Sequence, residues 1–288
     1  MTQHYLEKVE TLLVDNVRVH YEYYYQEQKV GKPVIVLIHG FVSSTYSFRH
    51  LIPYLAKHYS VLAIDLPGFG KSEKSNSFFY SFHNYAHLIL SLMTILKIEE
   101  VIATGHSMGG QVALYMAKIK PERVKKVVLL SSSGYLKRAK RQYRYASYIP
   151  FAPRLVKSFF IKRDYKDALS YVVYNKETVS QQDVSEYTKA FKDERFYHSL
   201  MRVLRHREGD LTAEQLKRIH QPVLLLWGKH DPVIPLYIGK RLQMDLPNAN
   251  IVIFEETGHL VPEERPKEVA EQMVKFIDKD ESHPSSNP

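Results

Sequence analysis

An alternation of short apolar runs with helical patterns constrains the fold of this chain more than any other feature. Six runs are rich in Val, Ile and Leu, at 33–39, 60–65, 101–105, 124–131, 222–227 and 249–254. Strands that are apolar on both sides are typical of parallel sheets with helices on both faces. Between these runs apolar residues recur at steps of three and four, which predicts helices at 47–57, 80–96, 108–119 and 267–278.

The start of the chain predicts a hairpin. Two β-rich runs, 8–14 and 17–24, flank the turn-prone pair Asp15-Asn16, as two antiparallel strands would. With the six later runs they predict an α/β fold built on a mostly parallel sheet of eight strands.

The segment from 134 to 211 breaks the alternation. It contains no clear strand, and its pattern is helical, aromatic and basic. Because a structureless loop of this length is uncommon in a compact domain, we predict a helical insertion after the sixth strand. The α/β core would then comprise 1–133 and 212–281, and the polar tail 282–288 would be disordered.

The absence of cysteine excludes several kinds of site. The chain has no residue for a disulfide, a thiol nucleophile, or a cysteine-ligated zinc or iron–sulfur centre. The first thirty residues are polar and lack the apolar stretch of a signal peptide, so we expect a cytoplasmic location.

A candidate nucleophile stands in the sequence Gly105-His106-Ser107-Met108-Gly109, between a predicted strand and a predicted helix. A sharp strand-to-helix turn projects the serine hydroxyl above the sheet, and glycine on both sides avoids collisions with the turning backbone. The helix N-terminus offers free N–H groups to a developing oxyanion. We therefore expect Ser107 to attack the substrate and the N–H of Met108 to be one oxyanion donor.

A second oxyanion donor is predicted at His39-Gly40-Phe41, directly after the strand at 33–39. Acyl transfer needs two donors aimed at the oxyanion, and the N–H of Phe41 is the candidate for the second. The alternative is that His-Gly only ends the strand in a turn.

A serine hydroxyl also needs a base, and the base needs an orienting carboxylate. Among fourteen histidines His259 stands out, because Thr257-Gly258-His259 follows the last predicted strand. Asp231 follows the preceding strand in the same way, and the order Ser107, Asp231, His259 suits a nucleophile on a strand-to-helix turn. The alternatives are a helix-capping or loop aspartate and a surface histidine.

Five motifs together resemble the α/β-hydrolase superfamily: HGF at 39–41, DLPGFGKS at 65–72, GHSMGG at 105–110, WGKHDPVIP at 227–235 and TGH at 257–259. The resemblance extends from 33 to about 278 but does not match the insertion in detail. It implies that Ser107 is the nucleophile, His259 the general base and then acid, and Asp231 the orienting carboxylate. It also implies that no metal or organic cofactor takes part.

The same resemblance implies that the insertion is a cap over the substrate pocket. We expect Phe41, Val42, Val233 and Leu260 to contact the substrate. Asp65 is expected to be structural and to shape the loop that follows it.

The resemblance is less specific for the reaction than for the fold. Carboxylesterases, monoacylglycerol lipases and carbon–carbon bond hydrolases of ring-cleavage products are all similar to this chain. Haloalkane dehalogenases and epoxide hydrolases carry aspartate where Ser107 stands, which disfavours both. We expect a small-molecule ester or acyl substrate. The alternatives are a carbon–carbon bond hydrolase and a small-molecule sensor that keeps the triad and signals through a protein partner.

The net charge of +9 is concentrated in the insertion. Between 137 and 166 ten Lys and Arg residues accompany a single acid, Asp164, and this excess equals the charge of the whole chain. No recognition motif accompanies the charge, so we do not expect nucleic acid as a partner. One hypothesis is peripheral membrane contact, in which the tract 145–161 dips into lipid and the basic side chains meet anionic headgroups. The sequence favours the simpler interpretation of a helix packed on the core with a solvated basic face.

Overall fold

In the computed structural model, which describes residues 5–25, 31–161 and 164–279, eight strands form one sheet. The strands are β1 (Leu6–Val14), β2 (Val17–Tyr25), β3 (Val34–Ile38), β4 (Val61–Ile64), β5 (Val101–His106), β6 (Val124–Leu130), β7 (Val223–Gly228) and β8 (Ala249–Phe254). Their order across the sheet is β1-β2-β4-β3-β5-β6-β7-β8. All eight predicted strands are present, and their ends lie within two residues of the predicted ends.

The sheet is antiparallel only near its first edge. β1 and β2 form the predicted hairpin, with Val14 opposite Val17. Asp15 and Asn16 between them have φ of +47° and +63°, as a two-residue turn of this hand requires. β2 also runs antiparallel to β4, and all later pairs are parallel. The prediction of a mostly parallel sheet is therefore confirmed.

Helices cover the sheet and fill the segment between β6 and β7. The α-helices are α1 (Ile52–Leu55), α2 (Phe82–Ile95), α3 (Met108–Ile119), α4 (Arg141–Ala146), α5 (Ala152–Ile161), α6 (Tyr165–Val172), α7 (Gln181–Thr188), α8 (Glu194–His206), α9 (Ala213–Leu216), α10 (Leu236–Asp245), α11 (Val261–Glu264) and α12 (Pro266–Asp278). The sequence pattern did not single out α10.

The single helix predicted at 47–57 is wrong. The structure has a 3₁₀ turn at Thr45–Phe48 and the short helix α1 instead. Pro53 explains the difference, because proline has no N–H to donate to the carbonyl of Arg49, four residues earlier. A helix continuing from 47 would need this bond, whereas α1 begins at Ile52 and has Pro53 in its first turn, where no such bond is required.

The two faces of the sheet bury separate apolar clusters. In β3 the fully buried Ile35 and Leu37 belong to one cluster, and the equally buried Val36 and Ile38 belong to the other. This alternation follows from the pleat of a strand. The carboxyl ends of the parallel strands meet at one edge of the sheet, so the loops after β5, β7 and β8 lie together there.

The helices α4 to α8 lie between β6 and β7, within the segment 134–211, called the insertion from here on. Its two ends are hydrogen-bonded to each other: the N–H of Asp210 donates to the carbonyl of Leu136 at 2.8 Å, and the N–H of Leu136 donates to the Asp210 carboxylate at 3.0 Å. The buried amide of Gln111 in α3 donates to the carbonyl of Ser133 and accepts from the N–H of Leu211. The domain boundaries stay predictions, and the tail 282–288 lies outside the described residues.

No helix within the described ranges is long and apolar enough to span a bilayer.

Candidate active site

Ser107 lies on a strained turn between β5 and α3. Its φ of +53° and ψ of −119° are unusual for a residue with a side chain. A Cβ on Gly105 would lie 2.1 Å from the carbonyl oxygen of Gly109, and a Cβ on Gly109 would lie 2.2 Å from that of Ile38. Both glycines are thus required for the turn. The N–H of Ser107 donates to the carbonyl of Leu130 in the neighbouring strand, which holds the turn in place.

His259 and Asp231 form a buried hydrogen-bonded pair. The His259 Nδ1 lies 2.8 Å from the Asp231 Oδ2, and each residue is 6% exposed. The Asp231 Oδ1 accepts two further bonds, from the N–H groups of Val233 and Ile234, both at 2.8 Å. Because a carboxylate only accepts, the neutral imidazole carries its proton on Nδ1 and leaves Nε2 free to accept. The parallel neighbours β7 and β8 deliver the two residues to the same edge of the sheet.

His106, to which the sequence assigned no role, holds the loop of His259. Its Nε2 lies 2.9 Å from the His259 carbonyl, and the two rings are 4.8 Å apart. Burial, together with the nearby His259, lowers the pKa of His106 to about 3, so the ring is neutral. Since the carbonyl accepts, the proton is on Nε2. Sequence proximity could not have revealed this contact, because the two residues are 153 positions apart.

The loop after β3 approaches Ser107 closely. A Cβ on Gly40 would lie 3.1 Å from the Ser107 Cβ. The buried His39 fixes this loop, because its Nδ1 donates to the carbonyl of Gly40 at 2.7 Å and its Nε2 accepts from the N–H of Leu66 at 3.0 Å. Burial lowers the pKa of His39 and so favours the neutral ring, in which one nitrogen donates and the other accepts. Phe41 follows directly in the chain.

The loop after β4 supports the same region. The Asp65 carboxylate accepts from the N–H groups of Thr45 and Lys71, both at 2.7 Å. Gly70 has φ of +48°, and a Cβ there would collide with the Asp65 side chain. These contacts fit the structural interpretation of Asp65.

Two of the four predicted substrate contacts border different cavities. Leu260 borders a cavity of about 600 Å³ between the insertion and the core, whereas Val42 borders another of about 370 Å³. The walls of these two cavities do not include Ser107. Phe41 is 49% exposed with its ring against Phe69, and Val233 is 46% exposed. Their contact with a substrate stays a prediction.

The insertion packs directly on the loop of His259. The His259 N–H donates to the carbonyl of Val172 at the end of α6, at 2.7 Å. A Cβ on Gly258 would lie 2.6 Å from the same carbonyl oxygen, so glycine permits this approach. The Glu264 carboxylate accepts from the N–H groups of both Gly258 and Tyr174, which joins the loop to the insertion a second time.

Across the described part of the chain, no group of three His, Asp or Glu side chains could hold a metal ion. The polar groups that lie at this edge of the sheet are a serine hydroxyl on a strained turn, an imidazole hydrogen-bonded to a carboxylate, and the N-terminus of α3. Such an arrangement is suited to nucleophilic attack assisted by a base.

Comparison with known proteins identifies the family. Residues 33–266 match the model of the alpha/beta hydrolase fold family. The chain belongs to this family. It is 44% identical over 264 residues to the uncharacterized hydrolase YugF of Bacillus subtilis strain 168, a match that covers 92% of this chain and 96% of that relative.

More distant relatives of the α/β-hydrolase family differ in reaction. The chain is 26% identical over 276 residues to a 2-hydroxy-6-oxononadienedioate/2-hydroxy-6-oxononatrienedioate hydrolase of Paraburkholderia phymatum, covering 91% of each protein. The crystal structure of a membrane phospholipase A, described as a bacterial virulence factor, is similar with a TM-score of 0.79 and 25% identity, covering 96% of this chain and 87% of that one. The expected family and fold are confirmed, and the chain is a hydrolase of this family.

Proposed function

We propose that this hydrolase cleaves carboxylic esters through an acyl-enzyme intermediate on Ser107. The observation that carries the proposal is the bond of 2.8 Å between His259 Nδ1 and Asp231 Oδ2. It fixes the ring tautomer whose Nε2 can take a proton from a serine hydroxyl. The strained turn at Ser107 and the shared sheet edge support the assignment of the nucleophile.

The proposed mechanism has two half-reactions. In the first, His259 Nε2 takes the hydroxyl proton as the Ser107 Oγ attacks the ester carbonyl. The N–H groups of Phe41 and Met108 hold the oxyanion, and the protonated His259 then gives its proton to the departing alcohol. In the second, His259 takes a proton from water as the water attacks the acyl-enzyme, and it then gives this proton to the Ser107 Oγ as the acid departs. Asp231 remains an acceptor throughout and stabilises the charged imidazole.

Contacts between rings support an apolar acyl group and a capping role for the insertion. Phe41 contacts Phe69, Phe69 contacts Phe196 of α8, and Phe196 contacts Phe160 of α5, with centroids 5.7, 6.3 and 6.4 Å apart. This row of rings leads from the proposed oxyanion loop into the insertion. The likeness to a membrane phospholipase A also favours an ester substrate.

A carbon–carbon bond hydrolase is the second candidate, and the relative from Paraburkholderia phymatum favours it. The same serine, histidine and aspartate would act on a vinylogous diketone. It would turn over a coloured ring-cleavage product and act weakly on simple esters.

The test is hydrolysis of p-nitrophenyl esters over a range of acyl lengths, by the intact protein and by Ser107→Ala. We expect the substitution to lower kcat by at least about 10⁴-fold, because the covalent step is lost. Ser185→Ala, at an exposed position of α7, is the matched control and should keep the full rate. Labelling by a fluorophosphonate should require Ser107.

Three results separate the candidates. Strong ester turnover that Ser107→Ala abolishes supports the esterase, and the preferred acyl length then measures the pocket. Labelling of Ser107 with turnover of a ring-cleavage product, but not of esters, supports the carbon–carbon bond hydrolase. Ester turnover that is unchanged in Ser107→Ala would refute the proposed nucleophile.

A further inference from the structure

The outer face of the insertion carries an unusual concentration of exposed apolar side chains. Seven of them, each more than half exposed, lie within seventeen residues of sequence. This outer face comprises Tyr145, Tyr148, Ile149, Phe151, Leu155, Phe159 and Ile161. Contiguous exposed apolar surface on a protein marks an interaction site more often than it occurs by chance.

Packing of the insertion does not account for these side chains. In α5, Val156 and Phe160 are spaced four residues apart and pack against the core cluster. Leu155 and Phe159 have the same spacing but are 70% and 57% exposed. The helix is therefore apolar on two sides, and one of these sides is largely exposed to solvent.

The charges within 137–161 have one sign, and an acid paired with them there is Glu194 of α8, which lies 2.8 Å from Lys157. The chain has no Asp or Glu between 137 and 161, whereas Lys140, Arg141 and Arg154 are exposed there. A symmetric contact with a second copy of this chain would bring these cations together. A nucleic acid would satisfy the cations but would leave Leu155 and Ile161 without an apolar environment.

A lipid surface satisfies both sets of side chains. Anionic headgroups pair with Lys and Arg, the acyl boundary below them accepts Leu, Ile and Phe, and tyrosine suits the interface between the two. We propose that the outer face binds the surface of anionic lipid bilayers, with α5 lying in the plane of the interface. This binding does not depend on the reaction proposed for Ser107.

Docking in this way would also place the row of rings beside the lipid. Phe160 lies on the inner side of α5 and contacts Phe196, whose ring contacts Phe69. One helix therefore separates the bilayer from the apolar side chains that lead to Phe41. An apolar substrate dissolved in the membrane could then pass directly from lipid to the insertion without crossing water.

The test is co-sedimentation with vesicles, which needs no substrate. The full chain is mixed with vesicles of phosphatidylcholine, or of equal parts phosphatidylcholine and phosphatidylglycerol, at low and high salt. We expect sedimentation with the mixed vesicles at low salt and much less at high salt or with phosphatidylcholine alone, because the attraction is screened.

Two variants divide the outer face into its components. Phe151→Ser/Leu155→Ser should weaken partitioning to mixed vesicles by at least about tenfold, since both side chains would lose their burial in lipid. Lys140→Gln/Arg141→Gln/Arg154→Gln should weaken it on the order of a hundredfold at low salt. The matched controls, Leu13→Ser/Met244→Ser and Lys217→Gln/Lys240→Gln/Lys275→Gln, change equally exposed residues outside the insertion and should bind as the intact protein does.

The proposal is overturned if the intact protein stays in the supernatant with mixed vesicles at low salt. It is equally overturned if the control variants lose as much binding as the outer-face variants, because net charge alone would then explain it. A third contrary result is a dimer in solution that Phe151→Ser/Leu155→Ser dissociates without any vesicle binding. Loss of ester activity in Ser107→Ala with unchanged sedimentation would keep the two proposals separate.

Discussion

The core and the insertion are held in different ways. Backbone N–H groups of its own loop fix Asp231 in the core, whereas the insertion is attached by a few contacts, among them the bond from the His259 N–H to Val172 and a buried cluster of charges, and its helix α5 is exposed to solvent. Val233 and Ile234 donate N–H groups to the Asp231 carboxylate from its own loop. By contrast α5 leaves Leu155 70% exposed.

The charged attachment is centred on Arg49. Its guanidinium pairs with Asp183 of α7 at 2.6 Å and with Glu263 of α11, and Glu263 also accepts from the hydroxyl of Tyr187 in α7. Burial raises the pKa of Glu263, and the positive charge of Arg49 opposes that rise. One arginine of the core thus neutralises a carboxylate of the core and another of the insertion.

Under the proposed function, the two regions have different tasks. The core holds the reacting groups, and the insertion lies between them and the substrate or membrane. Residues that react must hold their geometry, so they are placed on loops fixed by main-chain contacts. A layer that meets substrates or membranes can be attached by fewer and more variable contacts. Substitutions in the core should therefore change the rate, and substitutions in the insertion should change attachment or binding.

Asp231→Asn should give the largest effect and tests the core half of this division. Asparagine can still accept the N–H groups of Val233 and Ile234, but its amide favours the wrong tautomer of His259. We expect kcat on the best ester to fall about 10⁴-fold, with vesicle binding unchanged. Asp167→Asn, at an exposed site in α6, is the control. A loss of less than tenfold would mean that Asp231 does not orient the base.

The sequence predicted the core well because its signals are local. Each strand is a short apolar run, and Gly105 and Gly109 can be read on either side of Ser107. These features fix the backbone without reference to distant residues. Asp231 and His259 were singled out in the same way, from their positions after β7 and β8, and the structure places them 2.8 Å apart.

The insertion was less predictable because its contacts are not local. Arg49 and Asp183 are 134 residues apart, and nothing in either neighbourhood indicates the pair. Phe159 and Phe160 are adjacent and identical, yet one is exposed and the other packs on the core. Periodicity cannot distinguish two apolar sides of one helix, which is why the sequence favoured a simply packed α5.

Arg49→Met should give the next largest effect and tests the attachment of the insertion. It leaves the carboxylates of Asp183 and Glu263 without their cation in a largely buried place. We expect the free energy of unfolding to fall by about 4 kcal/mol, and proteolysis to begin in the insertion. Arg195→Met removes an exposed pair with Asp193 and should leave the free energy of unfolding almost unchanged, because solvent screens such a pair. If both variants lose the same stability, the charged attachment is not what holds the insertion.

Asp210→Asn should give the smallest effect and tests the join between core and insertion, where Asp210 is hydrogen-bonded to Leu136. Burial raises the pKa of Asp210 from its ordinary value of 3.8 to about 6. As the pH rises between these values, the unfolded chain releases this proton before the folded protein does. The stability contributed by the protonated carboxyl is therefore complete below pH 3.8 and is lost by pH 6, to a total of up to about 3 kcal/mol.

Asparagine keeps an acceptor for the N–H of Leu136 but does not titrate. Urea unfolding at a series of pH values should thus show a fall in stability from pH 4 to 7 that is shallower in Asp210→Asn than in the intact protein. The absolute stabilities also include the contact of Asp210 with Arg207, so the slope is the informative quantity. If stability falls equally with pH in both proteins, Asp210 is accessible to water at the join between Leu136 and Asp210. This join would then belong to the loosely attached insertion and not to the fixed core.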